Sequence, residues 1–478
     1  MVRSRYAPSP TGFMHIGNFR SALFEYLIAK HNGGVFILRI EDTDQQRYVE
    51  GSMDAILEVL RITGLVYDEG PGIGGDYGPY VQSERKGQYL FHAKELIEKG
   101  AAYYCFCQKD EEDQENSESK QTGIQKYDRR CRSLSKSEVE QHLAVGKPFV
   151  IRQFIPEGQT TFHDEVFGDI TVNHEELEDQ ILIKSDGMPT YNFANVIDDH
   201  AMAITHVVRG SEYLPSTPKY KLLYEAFGWD VPVYVHLPLI LSEEGGKLSK
   251  RRGDASFQGL LDMGYLPEAI VNYIAFLGWS SPDNREYFTL PELVEVFDYR
   301  NISRSPSYFD HTKLAWMNGE HIKRLPEDVF YEMALPTLQS AIKTDGIDLK
   351  LVAKMLQSRV LFIKDCIELI DFIDKLPDYS PTLFTHKKMK TDPAIALTAL
   401  EAILPIFKDC GNWDNTTLYT TAMECGKSLE FKNSQVLWPI RTALSGKPTS
   451  PCGASELCVL LGKEESTRRM EIGISKLK

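Results

Sequence analysis

No run of the sequence approaches the ~18 consecutive apolar residues that a membrane-spanning helix needs, so no span is expected. The first residues, Met1-Val2-Arg3-Ser4-Arg5-Tyr6, lack the apolar core of a signal peptide. Basic charge is not in excess either. The formal net charge is −15, which argues against a basic coat for nucleic acid. It leaves room for a local basic surface, whose binding would be salt-sensitive. Cysteine is sparse, with eight residues scattered apart from the Cys105/Cys107 and Cys452/Cys458 pairs. That usage fits a reduced, cytoplasmic protein better than a disulfide framework. Two glycine-rich segments fail as nucleotide folds. Gly70-Pro71-Gly72-Ile73-Gly74-Gly75 has neither a strand leading directly into it nor a helix directly after it. The segment before Lys247 has Leu241 where a P-loop needs its first glycine.

What is present reads as several domains, roughly three to five for this length. Residues 1 to about 105 alternate strand-like and helix-like segments, which predicts a parallel α/β sheet. Phe36 to Glu41 is a strand, and Ala55 to Leu60 and Tyr89 to Ile97 are helical. Gln108 to Lys120 is acidic and polar, a loop at the edge of an insertion. Residues 147 to 185 are β-rich. The α/β pattern resumes near Tyr191 and ends near Lys247–Arg252, so the sheet is interrupted by an inserted domain. Ligands in such sheets bind at the carboxyl ends of the strands. After Ser256 helical periodicity dominates, with a proline-started helix at Leu266 to Ile274. From about 325 onward no strand is convincing. Two helical bundles are expected there, meeting near Pro377–Pro381.

Two segments far apart in the chain look like equipment for a nucleoside triphosphate. The first is Pro8-Ser9-Pro10-Thr11-Gly12-Phe13-Met14-His15-Ile16-Gly17-Asn18. A strand over Val2 to Ala7 is broken by Pro8, Pro10 and Gly12. A helix follows Gly17, with Phe19, Ala22, Leu23, Tyr26 and Leu27 on one face. Free backbone N–H groups and the positive helix end favour a phosphate there. Gly17 permits close approach, and His15 can donate a hydrogen bond to a phosphate oxygen. On spacing alone, an ordinary strand-turn-helix with a surface histidine explains the segment equally well. The second segment is Lys247-Leu248-Ser249-Lys250-Arg251-Arg252, a loop cation cluster able to neutralise departing pyrophosphate. A Lys/Arg run taken alone is more often a solvated face.

Together the segments resemble the two signature motifs of class I aminoacyl-tRNA synthetases. Arg39-Ile40-Glu41-Asp42-Thr43-Asp44, the block Thr190 to His200 and Val208 to Leu214 bring the pattern close to that of bacterial-type glutamyl-tRNA synthetases. The resemblance runs from about residue 3 to the C-terminus. It implies an α/β Rossmann-like catalytic domain with an inserted α+β domain, followed by all-α C-terminal domains. The implied layout is a first catalytic half (1–107), an acceptor-end-binding insertion (108–190) and a second catalytic half (191–255). A stem-contact domain (256–324) and two helical anticodon-binding domains (325–378 and 379–478) complete it.

The resemblance also implies a chemistry. L-Glutamate attacks the α-phosphate of ATP, and the glutamyl group then passes to the 3′ end of tRNA(Glu). No residue is an obvious covalent nucleophile or general base, so positioning and charge stabilisation must do the work. His15, Lys247 and Lys250 are the implied catalytic residues. Gly12, Gly17, Asn18, Glu212 and Ser249 join them around ATP. Asn18 departs from the histidine that gives the first motif its name, but its amide can still donate a hydrogen bond. Arg5 and Arg209 match positions that face the glutamate side-chain carboxylate, a role suited to guanidinium. Ser9, Glu41, Tyr191 and Asn195 match the other glutamate contacts, with Glu41 the partner of the ammonium. Without the motifs, Arg5 would read as an exposed terminal charge and Glu41 as a strand-end ion pair. Mg²⁺ accompanies ATP, with no protein ligand identified.

Cys105-Phe106-Cys107 and Cys131 suit tetrahedral zinc. Ser133 stands where some relatives have a histidine ligand, which leaves Tyr127 as a candidate fourth ligand. Three reduced cysteines without metal remain the alternative. Arg359 falls where relatives read the third anticodon base, which favours discrimination between the glutamate and glutamine tRNAs. Arg441 lies in a segment resembling the C-terminal signature near the anticodon loop. A monomer is expected, with no membrane partner. The alternatives are a relaxed or paralogous enzyme that charges tRNA(Gln), a non-catalytic tRNA-binding or regulatory protein, and a small-molecule nucleotidyltransferase. Glutaminyl-tRNA synthetase fits less well, because its anticodon-binding region is barrel-like and this one reads helical.

Overall fold

Pro8 and Pro10 end the first strand, and the chain turns almost at once into a helix, Ile16–His31. The computed structural model describes every residue except 45–47, 108–126, 247 and 249–255. The acidic segment from Gln108 to Lys120 therefore lies outside the described residues. The strands are β1 (Arg3–Tyr6), β2 (Val35–Leu38), β3 (Ala102–Cys105), β4 (Val150–Gln153), β5 (Gln159–Asp164) and β6 (Gly168–Asn173). They continue as β7 (Ile181–Ile183), β8 (His206–Gly210), β9 (Val233–Leu237), β10 (Ile240–Ser242) and β11 (Ser307–Phe309).

β1 and β2 run parallel, from Arg3 opposite Val35 to Tyr6 opposite Leu38. The helix Ile16–His31 is the crossover between them. On the other side of β1, Thr205 N donates to Arg3 O and ties β1 to the root of β8. β8 runs parallel to β9, with the helix Thr217–Phe227 as their crossover. The chain thus winds outward in both directions from β1. That creates a switch point between β1 and β8, and a crevice opens at the carboxyl ends of such strands. The crossover helix Ile16–His31 buries Phe19, Leu23 and Leu27 completely, each contributing about 1.5–3 kcal/mol. A second core joins Tyr89 and Leu96 to Phe193, Ile197 and Leu223.

The insertion carries two antiparallel pieces. β4 pairs with both β3 and β7. β5 and β6 form a hairpin with six residues in register, from Gln159 opposite Asn173 to Asp164 opposite Gly168. The hairpin meets the parallel sheet at one point, Asp164 opposite Tyr234 of β9. The region after Ser256 is not wholly helical, because β11 pairs parallel with β10. Three residues are too few to show a strand period, and the partner strand lies far away in sequence. Ser256 does cap a helix, Phe257–Asp262, by accepting from Gly259 N.

The chain divides into two compact units. One comprises Met1–Met263 with Pro267–His311, the other Gly264–Leu266 with Thr312–Lys478. The second is built of helices, among them Glu327–Ala341, Leu349–Leu356, Pro393–Asp409, Asn415–Ser428 and Asn433–Ser445. The last helical run, Ala454–Leu477, is interrupted at Gly462, whose φ of 77° suits glycine. Among the described residues no helix is long and apolar enough to cross a membrane. Arg469, fully buried, fastens this unit. Its Nη1 donates to Phe372 O at 2.9 Å and Leu444 O at 2.7 Å, and its Nη2 to Ile373 O at 2.8 Å. Glu465 holds Nε at 2.6 Å. Arg469→Ala would leave three buried carbonyls unsatisfied. We expect a loss of about 3–5 kcal/mol, measured as a lower thermal midpoint. A midpoint unchanged from wild type would contradict this latch.

Candidate active site

The turn after β1 depends on Gly12, whose φ of 131° disfavours any side chain. His15 then caps the helix Ile16–His31. Its Nδ1 accepts from Gly17 N at 3.0 Å, so the neutral ring carries its proton on Nε2. A Cβ on Gly17 would lie 3.4 Å from that Nδ1. Gly17 therefore lets the histidine ring close over the helix end. Ser9 and Asn18 are exposed beside it.

The exit of the second motif is fastened to this turn. His15 bridges Ser256 in antiparallel fashion, and Phe257 N donates to Met14 O at 3.0 Å. The Phe19 and Phe257 rings pack 4.7 Å apart. The entry is a tight turn in which Ser242 N donates to Gly246 O at 2.7 Å. Leu248 is buried. Lys247, Ser249 and Lys250 lie outside the described residues. Glu212, just past the carboxyl end of β8, is exposed.

Between β1, β2 and the helix Tyr191–Ala201 lies a buried charge cluster. Asp199 Oδ1 accepts from Arg5 Nε at 2.9 Å and from Arg39 Nη1 at 2.7 Å. Arg5 Nη1 donates to Glu25 Oε1 at 2.9 Å, and Arg39 Nη2 to Glu41 Oε1 at 3.0 Å. All five residues are under a tenth exposed. Two guanidinium groups thus face three carboxyl groups. Burial pushes Glu41 up to about 7, opposed by Arg39 and Arg5. Burial likewise pushes Glu25 up to about 8, opposed first by Arg5. The cluster therefore retains a proton near neutral pH. Asp198 forms a separate pair with Arg85 at 2.6 Å and also accepts from Gln82 and Tyr89.

Arg209, on β8, is differently placed. It is buried, and its Nε donates to His236 Nε2 at 3.1 Å and its Nη2 to Thr217 Oγ1 at 3.1 Å. The rings of Tyr213, Tyr220 and Tyr234 surround it at 4.5–5.5 Å. Among the described residues it has no carboxylate partner. Tyr191 lies between the two charge centres. Its hydroxyl is held far above its ordinary value by burial, with Glu41 raising it and Arg209 lowering it. The Asn195 Nδ2 atom is buried without a hydrogen-bond partner. The fold thus places the charges of Glu41 and Arg209 on either side of Tyr191, with Arg5 and Asn195 nearby, but Arg5 and Arg209 differ in their partners. Arg5 is committed to Asp199 and Glu25, whereas Arg209 keeps an unneutralised charge.

Sequence reading missed several members of this set. Arg39 and Asp199 sat inside the conspicuous segments, yet nothing there said that each would need the other. Glu25 carried a signal, an acid within Leu23-Phe24-Glu25-Tyr26-Leu27 on a buried helix. His236 carried a weaker one, a histidine in the apolar strand Val233-Tyr234-Val235-His236-Leu237.

The three cysteines converge elsewhere. The sulfurs of Cys105, Cys107 and Cys131 all lie within 4.8 Å of one another. Cys107 and Cys131 are 3.5 Å apart, and Tyr127 Oη is 3.3 Å from Cys105 Sγ. Hydrogen bonds from Cys131 and Tyr127, against burial, bring the Cys105 thiol down to about 4. In the second unit, Arg359 lines a cavity of about 340 Å³ with Lys354, Ser358, Asn415, Cys452 and Glu456. Arg441 does not line it. Arg441 stacks 4.1 Å over Trp438 and holds Lys447 O, Pro448 O and Ser450 Oγ.

This architecture and these motifs define a class. The family model of tRNA synthetases class I (E and Q), catalytic domain, matches residues 1–316, and that of an anticodon binding domain matches 329–474. The chain belongs to the class I tRNA synthetase (E and Q) family. It is 56% identical over 482 residues to the glutamate–tRNA ligase of Clostridium botulinum, covering 100% of this chain and 99% of that one. It is 55% identical over 479 residues to that of Clostridium kluyveri, covering 100% and 98%. Among solved structures, a glutamate tRNA ligase from Elizabethkingia meningosepticum in complex with its amino acid matches at a TM-score of 0.85. That match has 36% identity and covers 100% of both chains.

Proposed function

We propose that this chain is a glutamate–tRNA ligase. It activates L-glutamate with ATP to glutamyl-adenylate, then transfers the glutamyl group to the 3′ end of tRNA(Glu), rejecting tRNA(Gln). The observation that carries the reading is an unneutralised guanidinium on one side of Tyr191 and a surplus, protonatable carboxyl group on the other. Among the described residues Arg209 has no carboxylate, and the Arg5/Arg39 cluster has one carboxyl group more than it has guanidinium groups. Glutamate fits both, with its side-chain carboxylate at Arg209 and its ammonium at Glu41. Asn195, whose amide nitrogen is buried and unpartnered, and Ser9 complete the pocket.

Catalysis rests on positioning and on charge stabilisation. The substrate α-carboxylate attacks the α-phosphorus of ATP, and pyrophosphate leaves. The Nε2–H of His15 donates to a phosphate oxygen as charge develops there. Gly12, Gly17, Asn18 and Glu212 would border the nucleotide. The cationic side chains of the second motif, Lys247 and Lys250 with Ser249, would offset charge on the departing phosphates, and Mg²⁺ bound with ATP would supply further charge neutralisation. The terminal ribose hydroxyl of the tRNA then attacks the glutamyl carbonyl and AMP leaves. In this reading residues 1–107 and 191–255 form the catalytic domain, with 108–190 on the acceptor end and 256–324 on the stem. Residues 325–378 and 379–478 read the anticodon. Arg359 contacts a base, and Arg441 holds the loop beside it. The protein works as a cytoplasmic monomer.

The donor set of Cys105, Cys107, Cys131 and Tyr127 fits a structural zinc ion. Thiols bound at ~2.3 Å from a tetrahedral ion sit at spacings like those of this cluster. Zinc titrated into reduced, metal-free protein should bind one equivalent per chain, and Cys131→Ser should abolish this. No uptake by wild type would exclude the metal.

The reaction itself is tested with labelled glutamate, ATP and purified tRNAs. Charging of tRNA(Glu) alone is expected. Charging of tRNA(Gln) as well would remove discrimination, and charging of neither would remove the reading.

A pH dependence follows from Glu41. Its pKa of about 7 belongs to the ligand-free protein, and an ammonium requires the ionised form. Below pH ~7 binding must therefore expel a proton, so glutamate affinity falls as pH falls, by up to about tenfold per unit. Calorimetry at pH 6 in buffers of different ionisation enthalpy should register proton release. Proton uptake on binding would contradict the assignment.

A further inference from the structure

Among the described residues of the first unit, the buried arginines Arg3, Arg5, Arg39 and Arg85 each hold a carboxylate, and Arg20 holds the Leu277 and Pro238 carbonyls. Arg209 holds an imidazole instead. Behind that imidazole stands a carboxylate, Asp164. Its Oδ2 accepts from His236 Nδ1 at 2.7 Å and from His236 N at 3.1 Å. Its Oδ1 accepts from Val166 N at 3.0 Å and Phe167 N at 2.8 Å. Asp164, His236 and Thr217 are all 0% exposed.

The directions of these bonds are fixed. His236 donates through Nδ1 to Asp164, so Nε2 keeps its lone pair and accepts from Arg209 Nε–H. Burial, with Arg209 adding and Asp164 opposing, pushes His236 down to about 4. The ring is therefore neutral at physiological pH. Thr217 Oγ1 takes Nη2. With Nε and Nη2 tied, the guanidinium plane is set and Nη1 remains for a ligand. Three tyrosine rings favour the cation without neutralising it.

We infer that Asp164 and His236 form a positioning relay that aims Arg209 at the substrate side-chain carboxylate while keeping a neutral ring between the two charges. A carboxylate placed directly against Arg209 would also orient it. It would then cancel the charge that separates glutamate from the neutral amide of glutamine. The imidazole transmits orientation and withholds neutralisation. Asp164 belongs to the inserted hairpin and His236 to β9, so the insertion supplies part of the specificity of the site. The inference rests on the proposed glutamate chemistry, and a carboxylate outside the pocket sets a residue inside it, as outer partners do for ligands elsewhere.

Substitutions separate this role from a structural one. In Asp164→Asn the amide nitrogen faces His236 Nδ1 and turns the ring to its other tautomer, which sets two donors against each other at Arg209. His236→Leu removes the acceptor and keeps the bulk. His236→Gln offers one donor and one acceptor again. The full chain is assayed for charging of tRNA(Glu), with KM for glutamate, KM for ATP and the preference for glutamate over glutamine measured for each variant. Wild type that fails to charge glutamate defeats the proposed function, whatever the variants do. With wild type active, Asp164→Asn and His236→Leu should raise the glutamate KM by about tenfold or more, and His236→Leu should erode the preference over glutamine. The ATP KM should stay within about twofold, and His236→Gln should recover part of the loss. Thermal midpoints confirm folding. Should Asp164→Asn loosen the hairpin, the two His236 variants decide alone. Folded His236→Leu protein with an unchanged glutamate KM and preference overturns the relay. So does an equal rise in both KM values, which marks a role in structure only.

Discussion

The carboxylate of Asp199, shared between Arg5 and Arg39, is the interaction on which the site depends. A buried arginine is stable only when its donors find acceptors, and removing one partner of a buried ion pair costs about 3–5 kcal/mol. Here a single carboxylate oxygen holds two arginines from neighbouring strands, each of which holds a further acid. The consequence reaches the sheet. β1 reads Arg-Ser-Arg-Tyr and is buried along its whole length, where parallel strands are ordinarily apolar. Its charges are stable because Glu69 meets Arg3, and the helices Ile16–His31 and Tyr191–Ala201 bring Glu25 and Asp199 to Arg5. The carboxyl ends of these strands therefore carry polar groups already tied to one another by hydrogen bonds.

The same logic explains why the first motif is so rich in special residues. Gly12 makes the turn, His15 caps the helix with one ring nitrogen, and Gly17 leaves space for that ring. The cap fixes the tautomer and so puts the ring proton on Nε2, the donor that the proposed mechanism uses. Met14 and His15 then grip the chain at Ser256 and Phe257. Ser256 and Phe257, which follow the second motif in sequence, are thus anchored on the turn of the first.

Much of this was legible from residues alone. Helical and strand periods marked the α/β halves, the β-rich insertion and the helical last third, because buried faces impose those periods. The short strand β11 escaped, since its only reason to be a strand is its pairing with β10. The candidate site was half legible. Motifs pointed to Arg5, Glu41, Tyr191, Asn195 and Arg209, but the sequence treated Arg5 and Arg209 as equals. Their difference lies in long-range partners, Glu25 and Asp199 for one and His236 for the other, and no local pattern encodes such partners. Arg441 is a similar case. Its motif suggested a reader, and its hydrogen bonds tie it to the loop leading to Pro451 and Cys452, partners that no local pattern announced.

A pocket that must tell a carboxylate from an amide faces a conflict. It needs a desolvated cation for discrimination, and a desolvated cation without a counter-ion is unstable. This fold resolves the conflict by distance. The surplus carboxyl group is kept at the Glu25, Glu41 and Asp199 end, where, once ionised, it would suit the ammonium of the proposed substrate. Arg209 is stabilised by aromatic faces, a hydroxyl and a neutral imidazole, none of which cancels its charge. In the proposed complex a substrate with separated charges of both signs would complete both ends at once, whereas an amide would complete only one. Selectivity then follows from leaving a buried charge unpaired in the wrong complex, which is a larger penalty than a missing contact.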